Sequence, residues 1–171
     1  MGGARSGEGG WTCGRDGLRY GPLLVSFQRF ARSAGAVVAA APRSLGALPV
    51  GAGEGRFLLP VAPGEGFWIG AILSPAADLP VAELIAWWHG TGPRRLASLW
   101  RPQTAIIAGM IRLDGRFDIF SRESLAALDV RINGEAAQVV PVDPAGYAAI
   151  TGQPLPPPLD PSAGYGGWRL P

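Results

Sequence analysis

Few side chains in this sequence have the types and spacing that chemistry requires. The sole histidine, His89, sits within Trp87-Trp88-His89-Gly90-Thr91-Gly92. Imidazole titrates near neutral pH without assistance, so His89 is the one candidate for a general base. A histidine beside two indoles is more often packed, with one ring nitrogen bonded to backbone, and catalysis is the lesser expectation. The sole cysteine, Cys13, would need to lie about 3 Å from His89 to serve as its nucleophile. It falls in a Gly-rich stretch poorly suited to holding it there. The sequence has no Gly-x-Ser-x-Gly turn of the kind that presents a hydrolase serine.

Metal chemistry fares no better. One histidine and one cysteine cannot complete a zinc site. Asp114, Asp118 and Glu123 could hold a hard cation, or pair across a cleft as in glycosidases, but they read more simply as a hairpin turn and a solvated strand face. Gly51-Ala52-Gly53-Glu54-Gly55-Arg56 has a phosphate-loop look. Such loops follow a strand and open a helix, whereas this one contains an acid and leads into a strand-like run. No metal and no cofactor are expected.

Aromatic side chains offer more. Trp87 and Trp88 are candidate ligand-binding platforms, because sugars stack on exposed aromatic faces, although most Trp within regular elements are core. Trp11 near the start, and Tyr165, Trp168 and Arg169 near the end, are candidate partner-binding anchors, since Trp and Arg are enriched at binding hot spots.

These residues must be positioned by a body whose composition is unusual. Apolar residues make up 47% of the 171, while charged residues are 16%, against roughly 25% in typical soluble domains. Residues 22–151 carry only 21 charged side chains, so the low charge belongs to the body and not only to the ends. Such a surface suggests a covering partner. All fifteen basic residues are Arg, the net charge is +2, and the longest basic run is Arg94-Arg95. With no basic stripe interleaved with aromatics, nucleic acid is not an expected partner.

The pass along the chain predicts β structure. Asn-Gly and Asp-Gly tolerate the positive φ of tight turns, so Leu113-Asp114-Gly115-Arg116 and Ile132-Asn133-Gly134-Glu135 read as hairpins. For the second, a two-residue turn sets Val130 opposite Ala137 and Leu128 opposite Val139, apolar on one face and polar on the other. For the first, a loop of Asp114 to Arg116 pairs Leu113 with Phe117 and Ile111 with Ile119, keeping like with like. That register leaves Gly115 in mid-loop instead of the usual left-handed third position. Thr104–Leu113 reads as a strand buried on both faces.

Arg56–Ala62 and Gly66–Ser74 read as strands split by Pro63-Gly64-Glu65. Residues 84–100 favour a hairpin around Gly90-Thr91-Gly92-Pro93, with a helix over 79–89 as the alternative. Apolar spacing of three and four from Leu23 to Val38, with Pro42 as a stop, predicts a helix over 22–41. Ala145–Thr151 suggests a short helical turn.

The expected architecture is a mainly β protein, an antiparallel β-sandwich or open barrel with one N-terminal helix. A flexible Gly-rich arm (1–21) would precede a single β-rich domain (22–151), and a Pro/Gly-rich tail (152–171) would follow it. The Leu23–Ala41 stretch is broken by Gln28, Arg29 and Arg32, so no membrane span is expected, and the default setting is cytoplasmic or a cytoplasmically assembled particle. The leading functional expectation is a non-catalytic structural or interaction subunit of a larger protein assembly, docking through aromatic-tipped arms and a low-charge β surface. A carbohydrate- or small-ligand-binding module using exposed Trp is the alternative. An enzyme centred on His89 comes third.

Overall fold

The computed structural model describes residues 5–6, 10–32, 37–78 and 80–160. Fifteen strands and one helix follow in order. They are β1 (Arg5–Ser6), β2 (Thr12–Gly14), β3 (Gly17–Tyr20), β4 (Leu23–Ala31), β5 (Val37–Val38), β6 (Gly51–Gly53), β7 (Arg56–Pro60) and β8 (Glu65–Leu73). Then come β9 (Ala82–Trp88), β10 (Gly92–Leu99), β11 (Gln103–Ile107), β12 (Met110–Ile111), β13 (Phe117–Asp118), β14 (Leu125–Ile132), β15 (Glu135–Val142) and α1 (Pro144–Thr151). One six-stranded sheet has the order β1-β2-β3-β4-β8-β11, and a second has β10-β9-β14-β15-β7-β6. Their inner faces share one core, in which Val25, Phe27, Phe67 and Ile69 of the first meet Leu84, Leu128, Val130 and Val139 of the second. The protein is therefore mainly β and sandwich-like. The small sheet β12-β13-β5 is separate.

The helix expected over 22–41 is not formed. Leu23–Ala31 is instead the strand β4, paired with β8 along its whole length from Leu23↔Leu73 to Ala31↔Glu65. It is buried on both faces, so apolar residues stand at both parities and mimic a helical period. The inward parity carries Leu23, Val25, Phe27 and finally Arg29, which is 4% exposed and ion-paired to Glu65. On the other face Ser44 Oγ donates to Gln28 Oε1 and Gln28 Nε2 donates to Ser26 Oγ, both at 2.6 Å. That chain satisfies polar groups which burial would otherwise penalise.

Both long strands outrun their regular neighbours. Beyond β3, residues 45–48 take over the edge of β4, with Leu48 N donating to Phe27 O and Arg29 N to Gly46 O. Beyond β11, Phe120 accepts from Phe67 N. These irregular segments keep buried backbone groups paired. Residues 10–21, expected within a flexible arm, are built into the first sheet through β2 and β3.

The 84–100 region is the predicted hairpin, β9–β10, and not a helix. The β14–β15 register matches expectation residue for residue, with Asn133 and Gly134 at φ 52° and 76°. The Pro63-Gly64-Glu65 turn lies between strands of different sheets: β7 pairs with β15, in parallel, and β8 with β4 and β11.

The predicted Thr104–Leu113 strand is two pieces, β11 and β12, and is not buried on both faces: Ile106 is 57% exposed and Leu113 fully so. The hairpin register also differs. Ile111 pairs with Phe117 and Met110 with Asp118, while Arg112 and Arg116 close a loop of Leu113-Asp114-Gly115, Arg112 N donating to Arg116 O and Gly115 N to Arg112 O. Gly115, at φ 82°, thereby occupies the left-handed third position that this loop length demands. Turn geometry prevails over matched faces because both strands are short and leave the tip in solvent.

Helix α1 is capped as its sequence implies. The Asp143 side chain accepts from Gly146 N, Pro144 opens the first turn, and Gly152 closes the last in the left-handed region. Tyr147 packs it, 1% exposed, beside β6 and β7. The following segment runs back over the domain: Leu155 packs on the core, the Pro156 carbonyl accepts from Arg29 Nη1 at 2.6 Å, and Leu159 N donates to Leu45 O. No helix among the described residues is long and apolar enough to cross a membrane.

Candidate functional site

His89 lies in the exposed turn between β9 and β10, its backbone N–H held by Ser124 O. Among the described residues, no hydrogen bond or ion pair reaches its imidazole. Cys13 is 4% exposed inside the core, on the other sheet. The fold does not bring the two together.

The three acids are engaged by arginines. Arg112 Nη1 donates to Asp118 Oδ1 at 3.0 Å, and Arg116 Nη2 donates to Asp114 Oδ2 at 2.9 Å. Arg32 reaches Glu123 at 3.3 Å. The side chain and backbone N–H of Arg116 hold the Asp114 carboxyl below its usual range. Glu123 is likewise lowered, first by its own backbone N–H and then by Ser121, Arg32 and Arg122. Among the described residues, no three metal-ligating side chains come together.

The tryptophans separate by the face their strand parity gives them. Trp88 turns inward and meets Phe120 edge-on at 5.9 Å, so it is no open platform. Trp87 turns outward, 39% exposed, and its Nε1 donates to Asp129 Oδ2 at 2.8 Å. Gln138 Nε2 donates weakly to the same carboxylate at 3.4 Å, and Arg131 lies 3.7 Å from it. Trp11 is not a protruding anchor. It is 2% exposed and packed against Tyr20 with ring centroids 4.8 Å apart, because the segment expected to be an arm is part of the sheet. Tyr165, Trp168 and Arg169 lie outside the described residues.

The largest apolar exposure lies elsewhere. Of the eight large hydrophobics exposed among the described residues, four fall in one stretch: Trp100 (59%), Ile106 (57%), Ile111 (74%) and Leu113 (111%). Trp100 stacks beneath the Arg101 guanidinium at 4.9 Å, Ile106 stands on the last strand of the first sheet, and Leu113 heads the projecting β12–β13 loop. Arg112, Asp114 and Arg116 surround Leu113 in sequence, and the Asp114 carboxylate is ion-paired to both arginines. An apolar tip collared by paired charges resembles a hot spot within a polar rim. Sequence reading missed this site because Leu113 was assigned to a strand. The signal was the mid-loop placement of Gly115: moving it to the third loop position puts Leu113 in the loop.

Comparison of the chain with family models, curated proteins and solved structures returned no match.

Proposed function

We propose that this chain is a non-catalytic interaction subunit of a larger protein assembly, and that it docks through residues 100–113. The observation that supports this reading is the gathering of four exposed large hydrophobics in that stretch of a sparsely charged domain. Isolated exposed apolar residues are ordinary, whereas apolar groups concentrated on projecting or edge elements favour association. Tyr165, Trp168 and Arg169 remain additional anchors on sequence grounds, and the expected setting is cytoplasmic. A photo-crosslinking residue at position 113, in the cell of origin, is expected to capture one defined protein, identified by mass spectrometry. The same probe at Arg131, exposed on the second sheet, is the control. Equal capture at both positions, or none at 113, overturns the reading.

A glycan-binding role is the second reading. Trp87 favours it, as a half-open indole beside Asp129, Gln138 and Arg131 on the solvent face of the second sheet. A glycan array on which wild type binds and Trp87→Ala does not would establish it; no binding by wild type removes it.

A further inference from the structure

A second site, separate from residues 100–113, lies in a notch of the second sheet. The parallel pairing of β15 with β7 begins only at Val139↔Phe57, so residues 135–137 run past the start of β7 without a neighbour on that side. The β6–β7 hairpin borders this notch, and Trp11 from the first sheet lines it from within. The resulting cleft has a volume of about 320 Å³. That is at the small end of the roughly 300–1,000 Å³ occupied by ligand pockets.

Its lining is rich in donors, with acceptors only in the Gln138 amide oxygen and the Ala136 carbonyl. Phe57, Ala136 and Ala137 supply apolar wall, and the polar side chains that line it, Trp11, Arg56 and Gln138, all carry N–H donors. Arg56 is the one ionised residue in the lining. It shares its charge with Glu54 at 3.4 Å, where both side chains are well exposed and water weakens the pair. Trp11 is 2% exposed, and its Nε1 has no acceptor among the described residues. The Tyr20 ring fixes the indole, so this donor is held rigidly. A buried donor without an acceptor is unfavourable unless something fills the role. The ladder adds one backbone donor and one acceptor. Glu135 and Ala137 bond toward β14, so the alternation directs the N–H and C=O of Ala136 into the notch.

We propose that this cleft binds a small monocarboxylate with an apolar body, its carboxylate taken by Arg56 and the Trp11 indole and its body laid against Phe57 and Ala137. The probes are phenylacetate and its neutral isostere phenylacetamide, added to the intact ¹⁵N-labelled chain. The six Trp give separate indole signals in proton–nitrogen spectra, and Trp11→Phe identifies that of Trp11. Phenylacetate is expected to shift the Trp11 signal saturably, and phenylacetamide to do so at higher concentration. Arg56→Gln, an exposed substitution that leaves the core intact, is expected to weaken phenylacetate roughly tenfold, as loss of a charge-assisted bond should. The proposal is overturned by any of three results: no saturation up to about 10 mM, equal movement of all six indoles, or an affinity indifferent to Arg56→Gln.

Discussion

Arg29 and Glu65 form a doubly bidentate pair in the interior: Nε and Nη2 of the guanidinium each reach both carboxylate oxygens, at distances from 2.7 to 3.3 Å. Their side chains are 5% and 13% exposed, so the guanidinium is buried and the carboxylate largely so. Arg29 ends the inward row of β4, and Glu65 opens β8 two residues before its partner Phe67. The pair thus seals one end of the sandwich where apolar side chains give out.

Removing either member leaves a charge buried without compensation. Arg29→Met and Glu65→Leu are each expected to lower unfolding free energy by ~3–5 kcal/mol. The double replacement should lose much less than the sum, because neither charge is then stranded. Urea unfolding of the four proteins measures this coupling, and simple additivity would refute it.

The Asp114 carboxyl is held low in the folded state by Arg116. A carboxyl depressed on folding contributes stability above its unfolded value, near 3.8, and loses that contribution as pH falls through the lower folded value. The hairpin tip is therefore expected to keep its ion pairs at neutral pH and to loosen only in acid below about pH 4. Carboxyl-carbon NMR should show Asp114 titrating below the ordinary aspartate range, and Arg116→Gln should move it back toward that range.

Gly109 links β11 to β12 where the chain passes close to β13. A Cβ there would overlap the carbonyl oxygen of Asp118 and press on the Phe117 side chain. The obstacle is backbone, which cannot swing aside. Gly109→Ala should cost at least ~2 kcal/mol and disturb the projecting loop. Gly115→Ala, which meets open space but has φ 82°, should cost less, about 1 kcal/mol. Thermal unfolding of the two variants gives the order.

What the sequence disclosed follows the range of the interactions involved. The β14–β15 register was legible because Asn133-Gly134 and the five residues on either side contain all of it. Helix α1 was legible in outline for the same reason: Asp143, Pro144 and Gly152 are its own caps. Strand β4 was not legible. Its burial on both faces depends on Ser44, Glu65 and Pro156, all distant along the chain, and without them Gln28 and Arg29 look like the wet side of a helix. Trp11 was misplaced for a related reason. Gly-rich sequence implied mobility, but its neighbours Thr12 and Cys13 are ladder partners of Arg19 and Leu18. The apolar stretch 100–113 was visible as composition, yet its exposure depended on a loop register that differed from the expected pairing.

The Pro-rich segment after α1, expected to be a tail that follows the domain, provides the last prediction. In the structure, residues 154–160 are a strap: Leu155 packs on the core, and the Pro156 carbonyl completes the donors of Arg29. Ending the chain at Gln153 should therefore destabilise the domain by at least ~2 kcal/mol, from lost apolar contact and one charge-assisted hydrogen bond. The hydrogen-bond part should vanish in an Arg29→Met background, where no guanidinium remains to be satisfied. Truncation would then cost measurably less in that variant than in wild type. An unaltered urea midpoint on truncating the wild-type chain would show that the strap contributes nothing, and an equal loss in both backgrounds would show that Arg29 does not act through Pro156.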